Sequence, residues 1–237
     1  MLPISLTSIS SRLDLLGRTL RILLNQTMKP SGIYVYLSKE GYGLDEGCKE
    51  LPKDLKLLFA TEPLLHLRWV ENTGPYRKLL PFAKEFPDTP VLVLDDDTKY
   101  VPTLVETAWK LWQEHMCCIA FRATIFDSST PYMSWPSATD KKAVTLFTKG
   151  NGGVVYHTAW FQDLRIQDST IFLKVAPLAD DVWFNAWRIK QEIPCYCSPE
   201  ASFIHSVSNK KCLFQINESK NDATIRETWA TVFTEQG

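Results

Sequence analysis

The stretch VLVLDDDTKY, residues 91–100, joins four apolar residues to three consecutive aspartates. A short apolar run bounded by polar residues is typical of a buried strand. Open α/β sheets bind their ligands at the carboxyl ends of such strands. Adjacent carboxylates repel one another unless a cation neutralises them, and Mg²⁺ and Mn²⁺ prefer oxygen ligands. The pattern therefore indicates a divalent-cation site at Asp95, Asp96 and Asp97. The alternative is a solvated turn whose aspartates cap the following helix.

Strands and helices alternate around this stretch. The sequence predicts strands in PISLTSI, GIYVYLS, residues 65–70, VLVL and CCIAFRATIF, and helices in RLDLLGRTLRILLNQT, PYRKLLPFAKEF and PTLVETAWKLWQEH. This alternation favours an α/β fold with a largely parallel sheet covered by helices. Residues 127–149 are rich in Ser, Thr and Pro, which predicts a less regular excursion with edge strands. No repeat or interdomain linker interrupts the chain, so we expect one domain.

Composition excludes several classes of protein. The net charge of −1 and the pI of about 6.4 do not suggest a nucleic-acid binder, which normally has a basic face. Without an apolar run of about 18 residues or a signal peptide, we expect a cytoplasmic protein; peripheral membrane association stays open. The six cysteines form no CxxC pair, which argues against zinc and favours reduced structural thiols. Cys195 and Cys197 flank Tyr196, as expected for two side chains on one face of a strand.

A second acidic pair lies in PLADDVWFNAWRIK, where Asp180 and Asp181 precede a helical pattern. One interpretation is an N-cap with favourable negative charge in the first turn. The other is a general base, because a carboxylate held near a metal-bound donor can take a proton from an acceptor hydroxyl. One aspartate can cap the helix while its neighbour faces a cleft, so both interpretations stay open.

The order of these motifs resembles a known family. DDD after an apolar strand, then NGGVVY, then ADD before a Trp-rich helix is similar to the inverting glycosyltransferases of the GT-A, or nucleotide-diphospho-sugar transferase, fold. The resemblance is to family-2-like enzymes of a microbial and viral branch, with an SLTS-like first strand and an NTGPYRK-like segment, and it runs from Ile4 to Asp222. It implies a mostly parallel central sheet with a small antiparallel acceptor-side region. It also implies a single domain over 1–237, with a nucleotide-sugar-binding half at about 1–125 and an acceptor-binding half at about 126–237.

The resemblance assigns roles to the residues of the donor side. Asp95 would face the ribose and share the metal, Asp96 would contact sugar or ribose, and Asp97 would ligate Mn²⁺ or Mg²⁺. His205 would complete the metal shell, although a lone histidine is more often structural. The remaining nucleotide contacts implied are Thr7, Ser8, Arg12, Gly74 and Lys78. For Lys78 and its neighbour Arg77, an exposed helix face is as good an interpretation as a phosphate contact.

On the acceptor side, the resemblance makes Asp181 the general base and Asp180 a supporting contact to donor sugar or acceptor. Gly152 and Gly153 would line the sugar and acceptor side, or simply form a tight turn.

For other side chains, the sequence leaves two interpretations open. Trp135, in a loop-like stretch, is a candidate sugar contact, whereas Trp187 is expected in the core. Arg122 could face the cleft or pair with a local carboxylate.

The resemblance thus implies a metal-dependent enzyme that moves a sugar, with inversion, from a nucleotide-sugar to a hydroxyl of a glycan, glycolipid, other lipid-linked or glycoprotein acceptor. A UDP-sugar is the favoured donor. One alternative is a sugar-phosphate nucleotidyltransferase, which usually has a Gly-rich basic loop after the first strand; here SLTSISSRL has no glycine. Another is a non-catalytic, metal-dependent carbohydrate-binding domain. A two-metal nuclease lacks the basic stripe it would need.

Overall fold

The computed structural model describes residues 1–206 and 220–234. The α-helices of these ranges are α1 (Leu13–Leu24), α2 (Lys53–Thr61), α3 (Leu80–Glu85), α4 (Leu104–His115), α5 (Leu164–Gln167), α6 (Ser169–Val175), α7 (Asp180–Lys190) and α8 (Asn221–Phe233). The strands are β1 (Ile4–Thr7), β2 (Ile33–Leu37), β3 (Leu65–Trp69), β4 (Pro90–Leu94), β5 (Thr98–Tyr100), β6 (Cys118–Ala120), β7 (Ala123–Ile125), β8 (Ser137–Ala138), β9 (Lys141–Ala143), β10 (Leu146–Thr148), β11 (Val154–His157), β12 (Cys195–Cys197) and β13 (Phe203–Ser206).

The central sheet has eight strands in the order β3-β2-β1-β4-β11-β6-β12-β9. Its first four strands are parallel, with Leu6 of β1 opposite Leu94 of β4. β11 then runs antiparallel to both β4 and β6, and β9 runs antiparallel to β12. The predicted α/β class and mostly parallel sheet are confirmed, with one reversal in the middle that periodicity did not reveal.

Helices cover both faces of this sheet and make two apolar cores. On one face, α1 and α4 pack their leucines against β1, β2 and β4, with Leu16, Leu20 and Leu104 almost fully buried. On the other face, α3, α6, α7 and α8 pack around Phe82 and Trp183. The leucine spacing of α1 therefore produces its buried face, as expected for an amphipathic helix.

Two smaller antiparallel sheets complete the fold. β10, β7 and β8 form one, and β13 pairs with β5 to form the other. Two strands of the first, β8 and β10, lie in the excursion predicted over residues 127–149, and this sheet is the expected small antiparallel region.

Two predicted elements are each divided in the structure. CCIAFRATIF gives β6 of the central sheet and β7 of a small sheet, with the break at Phe121 and Arg122. PYRKLLPFAKEF gives a 3₁₀ turn over Gly74–Lys78 followed by α3. Pro81 lies in the first turn of α3, where its missing N–H is tolerated; inside a longer helix it would remove a hydrogen bond.

The five cysteines that the structure describes agree with the sequence prediction. Cys48, Cys117, Cys118, Cys195 and Cys197 are free and buried. Cys195 and Cys197 both point inward from β12, while Tyr196 between them is half-buried. Within residues 1–206 and 220–234, no helix is long and apolar enough to span a membrane.

Candidate active site

The site forms where β1 and β4 end side by side. β4 is buried over Val91–Leu94, and Asp95–Asp97 make the turn into β5 directly after it. Tyr100 of β5 holds this turn, because its hydroxyl accepts a hydrogen bond from the Asp95 N–H at 2.8 Å. Thr19 of α1 donates to the Asp96 carbonyl at 2.8 Å. The aspartates are thus placed at the carboxyl edge of the sheet by their neighbours on both sides.

Arg12 neutralises part of the aspartate turn. Its Nη1 lies 3.2 Å from Asp96 Oδ1 and 2.9 Å from Asp97 Oδ2. Asp96 also accepts a hydrogen bond from the Ser8 hydroxyl and is only 5% exposed. Burial raises the pKa of Asp96, although Arg12 and Ser8 oppose the shift. Burial and the two neighbouring aspartates raise the pKa of Asp97 to about 7, so Arg12 does not offset the repulsion among the three carboxylates.

Lys78 joins the two acidic motifs. Its Nζ lies 3.1 Å from Asp95 Oδ1 and 2.9 Å from Asp180 Oδ2, and the side chain is almost fully buried. Burial alone would lower the pKa of Lys78, but Asp180 and Asp95 raise it well above its ordinary value. Burial raises the pKa of Asp180, with Lys78 opposing. Asp95 and Asp180, far apart on the chain, therefore share one cation. 

Asp181 lies beside this cation without pairing to it. Its Oδ2 accepts a hydrogen bond from the Gly150 N–H at 3.0 Å. A Cβ built on Gly150 would lie 2.9 Å from Asp181 Oδ1 and 3.0 Å from Lys78 Nζ, so a side chain there would displace both. Burial and the Asp180 charge raise the pKa of Asp181 to about 7, with Lys78 opposing. A carboxylate with a pKa near neutrality is suited to general base catalysis.

The first turn of α7 explains how these two aspartates are held. Asp180 and Asp181 are its first two residues, and the N-cap is Ala179, which makes no side-chain cap. The N-cap interpretation of either aspartate is therefore wrong, whereas the expected charge in the first turn is confirmed. Asn185, one turn further, donates to the Asp181 carbonyl and to the Thr148 carbonyl. It also accepts from the Thr148 N–H at 2.9 Å, which ties α7 to the strand that leads into Gly150.

The charge of the site fits a divalent cation. Five carboxylates, at positions 95–97, 180 and 181, face two cations, Arg12 and Lys78. Oxygen ligands with uncompensated charge are what Mg²⁺ and Mn²⁺ require, and Asp97 and Asp95 are the members that could hold one. Among the residues that the structure describes, no three His, Cys, Asp or Glu side chains are already arranged as a metal site. The His205 side chain lies outside the described residues; its backbone pairs with Lys99 of β5.

The other predicted site residues surround this cluster with different roles. The Thr7 hydroxyl donates to the Tyr36 carbonyl at 2.7 Å and so holds β1 to β2. Gly74 and Gly153 have positive φ angles, 63° and 88°, which favour glycine. A Cβ on Gly152 would lie 2.8 Å from Arg122 Cγ, so this position needs glycine for close packing.

The structure contradicts two of the interpretations drawn from the sequence. Arg77 is neither exposed nor available to phosphate: it is fully buried, with Nη2 2.9 Å from Asp45 Oδ2. Trp135 is not a surface for sugar: it is 6% exposed, packs against Phe147, and its indole N–H donates to the Asp127 carbonyl. Trp187 is buried, as predicted.

The structure adds one residue that sequence reasoning missed. Lys149 precedes Gly150, and its Nζ lies 5.4 Å from the centre of the Tyr132 ring. Its backbone N–H donates to the Arg122 carbonyl at 2.9 Å, which places the two residues side by side. A basic residue directly before a glycine turn was the available signal. Arg122 is exposed, and no carboxylate pairs with it in the part of the chain that the structure describes.

Comparison with known proteins places this fold. No family model and no curated protein sequence matches the chain. Residues 1–349 of S. aureus TarS, solved in complex with UDP, match all of the chain over 68% of that structure, at 14% identity and a TM-score of 0.62. A longer TarS structure matches 87% of the chain over 37% of its own length, at 16% identity and a TM-score of 0.57.

A second kind of enzyme shares the architecture. 4-Diphosphocytidyl-2C-methyl-D-erythritol synthase matches 94% of the chain over 96% of its own length, at 8% identity and a TM-score of 0.50. At such identities the likeness shows the fold and nothing finer. The chain has the mixed α/β fold of these enzymes, with a mostly parallel sheet of the GT-A type.

Proposed function

We propose that this protein is an inverting glycosyltransferase that uses a nucleotide-sugar, with a UDP-sugar as donor, and a hydroxyl group as acceptor. The observation that carries the proposal is the position of Asp181. It is held by the Gly150 N–H next to the cation that joins Asp95 and Asp180. A base beside a cluster suited to a metal and a diphosphate is what transfer to a hydroxyl requires. TarS, whose fold the chain shares, was solved with UDP.

The donor would lie over the aspartate turn. Asp97 and Asp95 would hold Mn²⁺ or Mg²⁺, and His205 is the proposed third ligand. When bound, such an ion stabilises negative charge on a departing diphosphate. Arg12 and Lys78 would add positive charge on the same side, and Ser8, Thr7 and Gly74 would border the nucleotide.

Asp181 would perform the proton transfer. As the acceptor hydroxyl oxygen bonds to the anomeric carbon, the bond from that carbon to the diphosphate oxygen breaks. The hydroxyl proton passes to an Asp181 carboxylate oxygen, and attack from the face opposite the leaving group inverts the anomeric configuration. Gly150 keeps its N–H on Oδ2 and leaves Oδ1 for this proton. Asp180, paired with Lys78, would contact donor sugar or acceptor.

The first test is calorimetric titration of a panel of nucleotide-sugars, with and without Mn²⁺, on wild type and Asp97→Ala. We expect one nucleotide-sugar to bind with Mn²⁺ and its binding to be lost in the variant. If no nucleotide binds with or without metal, the proposal is wrong. With the donor known, the anomeric proton of the transferred sugar in NMR spectra reports inversion.

The second candidate is a sugar-phosphate nucleotidyltransferase, favoured by the fold shared with 4-diphosphocytidyl-2C-methyl-D-erythritol synthase. The absence of glycine in SLTSISSRL counts against it, because its substrate triphosphate needs a close backbone cradle. Pyrophosphate release from UTP and a sugar 1-phosphate would support this candidate. Release of UDP from a UDP-sugar would support the transferase.

A further inference from the structure

Two basic residues, Lys149 and Arg122, flank the Gly150–Gly153 turn, and neither forms an ion pair among the residues that the structure describes. Arg122 packs its side chain on Gly152, while Lys78 of the donor cluster packs on Gly150. Lys149 reaches over the Tyr132 ring, and the Arg122 guanidinium lies 5.9 Å from the Phe203 ring centre. The Arg122 and Lys149 side chains therefore each contact an aromatic ring rather than an acidic group.

These two charges repel one another. Burial and the neighbouring Arg122 charge lower the pKa of Lys149, and Asp181 opposes the shift only in part. In residues 1–206 and 220–234, neither Arg122 nor Lys149 forms an ion pair, whereas Arg12, Arg77 and Lys78 each do. Two cations on neighbouring residues, each lacking an ion pair in the described ranges, are suited to an anionic ligand.

The Tyr132 hydroxyl belongs to the same surface. The Tyr132 N–H is fixed by Asp222 of α8 at 2.7 Å, and its ring lies between Trp135, Phe147 and Lys149. Burial raises the pKa of Tyr132 to about 12, and the Asp181 charge adds to the shift, so the phenol keeps its proton. Its hydroxyl has no hydrogen-bond partner within the described ranges and can donate to a bound anion.

We propose that Arg122, Lys149 and the Tyr132 hydroxyl form a subsite for a phosphate group carried by the acceptor. The inference rests on the proposed transferase function and names the class of its acceptor: a glycan or lipid-linked molecule with a phosphate monoester near the hydroxyl that is glycosylated. A phosphate monoester matches the site because it carries between one and two negative charges and three acceptor oxygens. A single carboxylate carries one charge and leaves one cation unpaired. The donor diphosphate has its own cations, Arg12 and Lys78.

The test uses glucose 6-phosphate as the probe and glucose as its neutral control. Binding is measured by calorimetry on the full chain, first alone and then saturated with UDP and Mn²⁺. We expect glucose 6-phosphate to bind the UDP-saturated protein, and glucose to bind at least tenfold more weakly. Lys149→Gln and Arg122→Gln should each weaken glucose 6-phosphate about tenfold, with UDP affinity unchanged within about threefold. Lys174→Gln, an exposed lysine of α6, is the matched control and should change neither affinity.

The outcomes separate this inference from the function on which it rests. If UDP binds but glucose 6-phosphate binds no better than glucose, the phosphate subsite is wrong and the transferase proposal stands. If glucose 6-phosphate competes with UDP, the two cations serve the donor diphosphate and the inference is again overturned. If glucose 6-phosphate binds through Lys149 and no nucleotide binds, the transferase proposal is wrong. The assignment of the phosphate to an acceptor is then wrong as well, because it rests on that proposal.

Discussion

Arg77 and Lys78 are adjacent basic residues, both buried, yet their surroundings differ in kind. The Arg77 guanidinium pairs with Asp45 and donates to the Gly74 carbonyl at 3.0 Å and the Ser8 carbonyl at 3.2 Å. Asp45 in turn accepts from the Ser10 N–H at 2.9 Å. Among the described residues, the polar partners of the Lys78 ammonium are carboxylates, those of Asp95 and Asp180.

The pKa values of the carboxylates near Arg77 and near Lys78 differ in the same way. Burial would raise the pKa of Asp45, but the Ser10 N–H and Arg77 lower it below its usual value, so its partners outweigh the cost of burying this carboxylate. Around Lys78, by contrast, the pKa of Asp181 is raised to about 7. A buried cation whose partners are mostly backbone groups supports the fold. A buried cation among acidic groups that still lack compensation indicates a site that acts on a ligand.

The largest expected effect is on stability, and it separates the two cations. Arg77→Met should lower the free energy of unfolding by about 3–5 kcal/mol, because it leaves Asp45 buried without its cation. Lys78→Met should cost less than half as much, because Asp180 can take up a proton instead. Urea unfolding at pH 7 measures both, and UDP titration should show lost binding in Lys78→Met. Equal losses of stability would remove the distinction between the pairs.

Next in size is the effect of Asp181→Asn on catalysis. Without its base the transferase rate should fall about 10²–10⁴-fold, while UDP affinity stays within about threefold. Steady-state kinetics and calorimetry on the same preparation separate the two quantities. Asp54→Asn, at an exposed aspartate of α2, is the control and should retain the wild-type rate. A variant that keeps full activity would support the non-catalytic carbohydrate-binding alternative.

The raised pKa of Asp181 also predicts the pH dependence. The transferase rate should rise about tenfold per pH unit below pH 7 and level off above it, because only the ionised carboxylate accepts a proton. Stability should change in the opposite direction. With a folded pKa of about 7 against an ordinary value of 3.8, the folded state binds the proton more tightly. The stabilisation from that proton is complete below about pH 4 and is lost as the pH rises through about 7.

Thermal unfolding in EDTA between pH 4 and pH 8 measures this loss. Asp181→Asn should show a shallower decline than wild type, because the amide has no proton to lose. Identical slopes for the two proteins would contradict the assigned pKa shift.

The smallest expected effect comes from one methyl group. Gly150→Ala would place its Cβ against Asp181 and Lys78 and so reduce kcat by about three- to tenfold through misplacement of the base. Gly17→Ala is a matched control, since its Cβ would meet nothing closer than 3.4 Å. In helix α1 that change should stabilise the fold by up to about 1 kcal/mol and leave kcat unchanged. If Gly150→Ala keeps the wild-type kcat, the position of Asp181 against Gly150 is not required for catalysis.

Much of the fold could be predicted because its signals are local. The spacing of Leu13, Leu16 and Leu20 produced α1, and VLVL followed by polar residues produced β4 and the turn after it. The reversal at β11 and the break at Arg122 could not be predicted, since they depend on which strands become neighbours. The site was predictable where like charges stand together in sequence.

Pairings between residues that are far apart in the sequence could not be predicted for the same physical reason. Arg77 finds Asp45 32 positions away, and local sequence does not indicate which of two neighbouring cations will do so. The position of Trp135 was mispredicted because a loop-like composition does not reveal that Asp127 and Phe147 enclose it.

Strand β9 has a consequence for how separate copies of the chain behave. It is the last strand of the central sheet, and within the described ranges no further strand covers its outer edge. Unpaired N–H and C=O groups at such an edge are a template for sheet growth and aggregation. Two of its three residues are exposed lysines, Lys141 and Lys142. When two such edges approach one another, like charges meet, so the sheet disfavours its own extension.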